Sequence, residues 1–221
     1  MTSLAANPIE SPSWKISAGA EGIAAAQFAR CGFDVSLQYG ANKPAYDMVV
    51  TRGGSLLKIE VRGSQDGTWN LTQSYIKRAA EFSGKKADFH GAIELWLDHY
   101  GARTVCCLVQ FLGVGLDELP RIYLATPKDV ATKLRESAAG RGDSVLYEGN
   151  KWASPILGSE TTECLPESWC FSQQRIQELL GGQAPASSPI PVRRKVESPS
   201  GVWSTLDHIS PASQMGIAVN A

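Results

Sequence analysis

The feature that most constrains this chain is a pair of glycines. In residues 46–64, YDMVVTRGGSLLKIEVRGS, Gly53-Gly54 separates two runs in which apolar and polar residues alternate. Two adjacent residues that tolerate positive φ make a tight two-residue hairpin loop, and that loop fixes the cross-strand register. A turn centred there sets Arg52 against Ser55, Val49 against Lys58 and Asp47 against Glu60. Alternation then sorts the faces. Tyr46, Met48, Val50, Leu57, Ile59 and Val61 share the side expected to meet the core. Asp47, Val49, Lys58, Glu60 and Arg62 share the other. Directly opposed residues have Cβ atoms about 4.5–5.5 Å apart, where like charges destabilise. Two remedies for the Asp47–Glu60 repulsion stay open. One is a divalent cation with carboxylate oxygens at about 2.0–2.6 Å. The other is neutralisation by Lys58 and Arg62, which flank Glu60 on its own strand.

The remaining elements follow from local signals. Residues 17–30, SAGAEGIAAAQFAR, are Ala-rich and predict a helix, with Gly32 placed to end it. Residues 33–37 suit a short strand. Thr72 is placed to cap a helix over 72–82. Residues 88–97 and 103–112 read as two strands around the turn DHYGA, and 121–125 as another. Thr126, Pro127 and Asp129 give a cap, a first-position proline and a first-turn acid, so a helix to about Ala138 is expected. Ser172 heads a short helix over 172–180. Helices and strands are mixed, which predicts an α/β or α+β fold with a mixed central sheet.

Composition limits what such a fold can do. Of 221 residues, 43% are hydrophobic and 19% charged, enough for a packed core. The net charge of −1 excludes a basic field over the whole chain, so any nucleic-acid contact must be local. Five cysteines include no CxxC pair and no zinc-ligand spacing, and are expected as reduced thiols. The opening residues lack a basic segment followed by an apolar one, and no apolar run approaches membrane-spanning length. A cytoplasmic protein with no membrane partner is expected. Residues 1–14 read as a loose lead-in, 15–180 as the folded domain, and 181–221, rich in Pro and Ser, as a disordered tail. Within that tail, VRRK and VWSTLDHI are candidate contact segments for a recruited partner.

The hairpin and its surroundings carry a resemblance. The stretch GAEGIAAAQFARCGFDVSLQYGANKPAYDMVV…LLKIEVRGS has an acidic residue on a helix, then GF-x-V, a YD strand, a hairpin and E-V-R-G-S. In order and spacing, residues 19–64 resemble the PD-(D/E)xK nuclease superfamily, in particular archaeal Holliday-junction resolvases and restriction-like homing endonucleases of group I introns. The resemblance implies a restriction-endonuclease-like fold and metal-dependent hydrolysis of DNA phosphodiesters with Mg²⁺ or Mn²⁺. It implies Asp47, Glu60 and the Val61 carbonyl as metal ligands, and Glu21 as a further carboxylate. It also implies a homodimer where both strands are cut. The chain departs from the pattern at the family lysine, where Arg62 stands. Arginine stays charged and cannot serve as a base near neutral pH, but it can clamp a phosphate. Lys58, on the same face, is the candidate to take over the lysine's work. A nuclease fold that binds DNA without cutting it is the first alternative, and a protein-interaction domain is the second.

Candidate phosphate contacts are Lys43, in the loop before Asp47, and Lys77, Arg78, Lys85 and Lys86, which bracket the second helix. His90 and His99 lack partner spacing and read as structural. Trp69, Trp96, Trp152 and Trp169 read as core.

Overall fold

The computed structural model describes residues 13–40, 44–140, 142–153 and 160–181. These belong to a compact unit spanning 1–185, and a second unit, 186–221, lies outside the described residues. The expected disordered tail, 181–221, falls outside them except for Gly181.

Helix α1 (Ser13–Arg30) is followed by β1 (Asp34–Leu37), β2 (Met48–Arg52) and β3 (Ser55–Ser64). The short β4 (Thr68–Trp69) leads to α2 (Gln73–Ser83) and α3 (Phe89–Leu97). Then come β5 (Thr104–Gln110), β6 (Arg121–Ala125) and α4 (Pro127–Gly140). The two-residue β7 (Leu146–Tyr147), the strands β8 (Gly149–Ala153) and β9 (Glu160–Cys164), and α5 (Gln173–Leu179) complete the domain. The main sheet has the order β1-β2-β3-β5-β6, with β3 parallel to β5 and every other pair antiparallel. The fold is α+β: a mixed five-stranded sheet flanked by helices.

The glycine pair does what its sequence predicts. Gly53 and Gly54 have φ of 58° and 81°, and β2 pairs with β3 from Arg52↔Ser55 to Met48↔Ile59. Gly32, at φ 81°, ends α1 as expected. In α4, the Thr126 hydroxyl accepts from the Asp129 N–H while the Asp129 carboxylate accepts from the Thr126 N–H, a reciprocal cap.

Two expectations need correction. Helix α1 starts at Ser13, not Ser17, so Ser13 and Trp14 belong to it rather than to a lead-in. Residues 88–97 are not a strand: Phe89–Leu97 form α3, capped by Asp88, whose side chain accepts from the Gly91 N–H at 3.0 Å. Ala92, Ile93 and Trp96 form its buried stripe. The reason is topological: two parallel neighbours, β3 and β5, need a long crossover, and helices supply it. That crossover also buries all of β5, because a parallel strand is covered on both faces.

On one face of the sheet α1 and α5 pack Ala20, Ala24, Phe28 and Ile176 against Met48, Ile59 and Val61. On the other face Trp96, Leu134, Trp69 and Trp169 pack around Cys106 and Leu108. The tryptophans whose side chains are described are thus core, as expected, and all five cysteines are free thiols. Among the described residues no helix is long and apolar enough to cross a membrane.

Helix α1 meets β3 at Gly63. A Cβ there would lie 2.8 Å from both the Ile16 side chain and the Ile16 carbonyl oxygen, and 3.0 Å from the Ala20 Cβ. A backbone oxygen cannot swing aside, so Gly63→Ala must push α1 off the strand. Overpacking of this kind costs about 1–3 kcal/mol. Urea denaturation should show that loss, whereas Gly22→Ala, with nothing near the added Cβ, should show none.

Candidate functional site

The site lies where β2 gives way to the loop before it. The Asp47 N–H donates to the Ile59 carbonyl oxygen at 2.8 Å, although the ladder pairs Ile59 with Met48. Asp47, just before β2, and Met48, its first residue, thus both oppose Ile59, which is the pattern of a β-bulge. The Asp47 carboxylate takes the place of the missing backbone partner: its Oδ2 accepts the Val61 N–H at 2.7 Å. Alternation predicts Asp47 facing Glu60; the bulge turns the Asp47 carboxylate onto the Val61 N–H, beside Glu60 in the strand.

Both carboxylates are buried, with Asp47 at 5% and Glu60 at 4% exposure. Glu60 is held by one neighbour and faces a second. Arg62 donates to its Oε1 from Nη2. The Tyr100 hydroxyl, just past the end of α3, lies near enough for the Glu60 charge to act on it. Burial, and next the Glu60 charge, push the Tyr100 phenol far above its ordinary pKa. Burial works against the Arg62 charge, but Glu60, Tyr100 and Asp47 together more than offset this and raise its pKa. The two carboxylates act on different cysteines. Burial, then Glu60, raises Cys106, while burial, then Asp47, raises Cys107. Cys106 and Cys107 belong to opposite faces of the sheet. The face carrying Glu60 is thus no solvated surface: α3 and α4 cover it.

Arg62 is the link to solvent. Its side chain is 54% exposed. It lines an open cavity of about 440 Å³ with Ser13, Ser17, Gln65, Asn70 and Ser74. The Arg62 carbonyl oxygen accepts from the Trp69 indole N–H at 3.0 Å, which fixes the strand beneath it.

The other expected residues are placed as follows. Lys58 keeps to the Asp47 end of the hairpin, its Nζ 5.4 Å from the centroid of the Tyr46 ring. Glu21 is half-buried on α1, next to Ala20 and on the sheet face opposite Glu60. Lys77, Arg78, Lys85 and Lys86 are exposed on α2 and just beyond its end. Lys43 lies outside the described residues. His90 and His99 are both exposed. Tyr100 was not legible in the sequence, because reading 88–97 as a strand put it in a turn.

The donors near Val61, two buried carboxylates and backbone oxygens, are the hard oxygen type that suits Mg²⁺ or Mn²⁺. Among the described residues no group of three or more His, Cys, Asp or Glu side chains is placed to hold a metal ion, so Glu21 does not join Asp47 and Glu60. The chemistry of the donors fits such an ion as a two-carboxylate site, and Arg62 supplies the counter-charge in the structure. No protein-family model, no curated protein and no solved structure matches the chain.

Tyr100→Phe tests the neighbourhood of Glu60 without touching the charges. A hydrogen bond to a charged, buried acceptor contributes about 1.5–3 kcal/mol. Urea denaturation of the variant should show a loss of no more than that, with an unchanged m-value.

Proposed function

We propose that this chain is a metal-dependent DNA endonuclease on a restriction-endonuclease-like core. The observation that carries the reading is the burial of Asp47 and Glu60 on either side of the Val61 backbone, with Arg62 running from Glu60 to an open cavity. Burying two carboxylates costs several kcal/mol each unless their surroundings compensate, and such sites concentrate where chemistry is done. The order helix, strand, YD strand, E-x-R strand agrees with the motif order on which the resemblance rests. Mg²⁺ or Mn²⁺ held by Asp47 and Glu60, with the Val61 carbonyl as a further donor, would supply an activated water and shield the phosphodiester charge.

The chain's own residues divide the remaining work. The Val61 N–H locks the Asp47 carboxylate, and Arg62 fixes the orientation of Glu60. The exposed part of the Arg62 guanidinium can fork onto a phosphate entering from the cavity. Lys58, beside Tyr46 at the same end, is within the element that a bound strand would cross. Lys77, Arg78, Lys85 and Lys86 add phosphate contacts away from the reacting bond.

A second reading keeps the fold and the DNA but drops the hydrolysis. It is favoured by Glu60 already being engaged by Arg62. Incubating the purified protein with linear, nicked and branched DNA, with and without Mg²⁺ or Mn²⁺, separates the two. Metal-dependent cleavage that is lost in Glu60→Gln supports the nuclease. Binding without cleavage supports the second reading, and no binding to any form overturns both. Sedimentation on the same DNA tests the homodimer.

A further inference from the structure

The exposed face of α2 carries a combination that the site itself does not use. Lys77, Arg78, Glu81 and Phe82 point outward, and Lys85 and Lys86 follow directly after the helix. Gly84, at φ 68°, turns the chain so that both lysines flank the helix end. Phe82 is 75% exposed, a large apolar ring left in solvent. The Arg78 guanidinium carbon lies 5.6 Å from the centroid of that ring. Lys77, Glu81, Lys85 and Lys86 line a second open groove beside it. Four cations against one carboxylate stand out in a chain whose net charge is −1.

Position links this face to the site. Ser74, in the first turn of α2, lines the cavity at Arg62. On a helix, Ser74, Arg78 and Phe82 fall in one i, i+4 row. At 1.5 Å per residue that row spans about 12 Å. It leads from the Arg62 cavity to the exposed ring.

We propose that α2 is a platform for an unpaired DNA strand, with the backbone on Lys77, Arg78, Lys85 and Lys86 and a base stacked on Phe82. The charge selects a polyanion. The exposed ring selects one whose bases are free, because a duplex hides the π-faces of its bases in its own stack and offers a helix surface only phosphates and groove edges. Arg78 lies over one face of the ring, and the base takes the other. This deepens the nuclease reading and rests on it for direction: the strand held on α2 is the one that enters the cavity at Arg62. The substrate class is DNA with a single-stranded segment beside the scissile phosphate.

The test uses the full chain, a fluorescein-labelled oligothymidine and a blunt duplex. Wild type should bind the oligothymidine more tightly than the duplex. Phe82→Ala should weaken oligothymidine binding by about 5- to 160-fold, the range of one lost base–aromatic stack, and leave duplex binding unchanged. Phe82→Trp should restore it. Because Phe82 is exposed, thermal melting of Phe82→Ala should match wild type, so a lost stack is not mistaken for a lost fold. Replacing Lys77, Arg78, Lys85 and Lys86 together with Gln should reduce the slope of log K against log salt by about 3, at roughly 0.7 per phosphate contact. An unchanged oligothymidine affinity in Phe82→Ala overturns the proposal. So does a duplex preference in wild type. A change in sedimentation mass with no change in affinity also overturns it, and marks Phe82 as a contact between copies of the chain. Metal-dependent duplex cleavage that ignores Phe82 overturns this inference alone, whereas no binding to either probe overturns the nuclease reading with it.

Discussion

Arg62→Ala should slow phosphodiester cleavage by about 100- to 1,000-fold, the usual cost of removing one donor that stabilises charge in the transition state. Arg62 is the residue that connects the buried Glu60 to the open cavity, so its loss acts twice. On the nuclease reading the phosphate loses its guanidinium, and in the structure Glu60 loses the neighbour that neutralises it. Tm should therefore fall as well, and rates are to be compared where the variant remains folded. Arg62→Lys separates the two roles. An ammonium cannot hold Glu60 and a phosphate in one planar fork, but it can shift its pKa and hold a water. If the chain follows the family chemistry, Arg62→Lys retains or raises activity. Wild type inert and Arg62→Lys active would mark a decayed nuclease. Both inert, with DNA still bound, would leave the binding reading. Lys58→Ala gives a parallel measure: a loss of the same size would assign Lys58 a share of the water-holding role, and no loss would leave it to packing on Tyr46.

Mg²⁺ or Mn²⁺ should raise Tm by about 5–10 °C at a hundredfold excess over Kd, since ligand bound only to the folded state then contributes about 2.7 kcal/mol. Asp47→Asn and Glu60→Gln should each abolish the rise. They should differ in the absence of metal. Asn at 47 can still accept the Val61 N–H through its side-chain oxygen, so the bulge should survive. Gln at 60 leaves Arg62 without its carboxylate. A melting temperature indifferent to metal in wild type would mean that Arg62 alone balances the site, and would remove the metal from the proposed function. The readout is independent of cleavage, so it holds even if the DNA used is the wrong form.

Much of the site was legible because it sits on a hairpin. Gly53-Gly54 fixed the register from Met48 to Arg52, and alternation then named every residue near the site on β3. Register is local information: a two-residue loop leaves no freedom. The capped helices were legible for the same reason. The pattern at Thr126, Pro127 and Asp129, and the cap at Ser172, satisfy backbone groups within a few residues of themselves. Thr72 shows the limit of such signals. It stands at the head of α2 as expected, yet its hydroxyl bonds Ser144 across the fold instead of capping the helix.

What the sequence determined by itself was the hairpin and the identity of its charged residues, since turn chemistry and period-two alternation act over a few residues. Only the tertiary structure decided what those residues do. The crossover from β3 to its parallel neighbour β5 required helices, which turned residues 89–97 from an expected strand into α3 and brought Tyr100 within the field of Glu60. Those helices buried a face that alternation would leave in solvent. Asp47, one residue beyond the ladder, was then re-aimed by a bulge onto the Val61 N–H. None of these outcomes is encoded in a window of a dozen residues. Each arises because burial removes water as the partner of a charge, and the replacement partner comes from wherever the fold brings it.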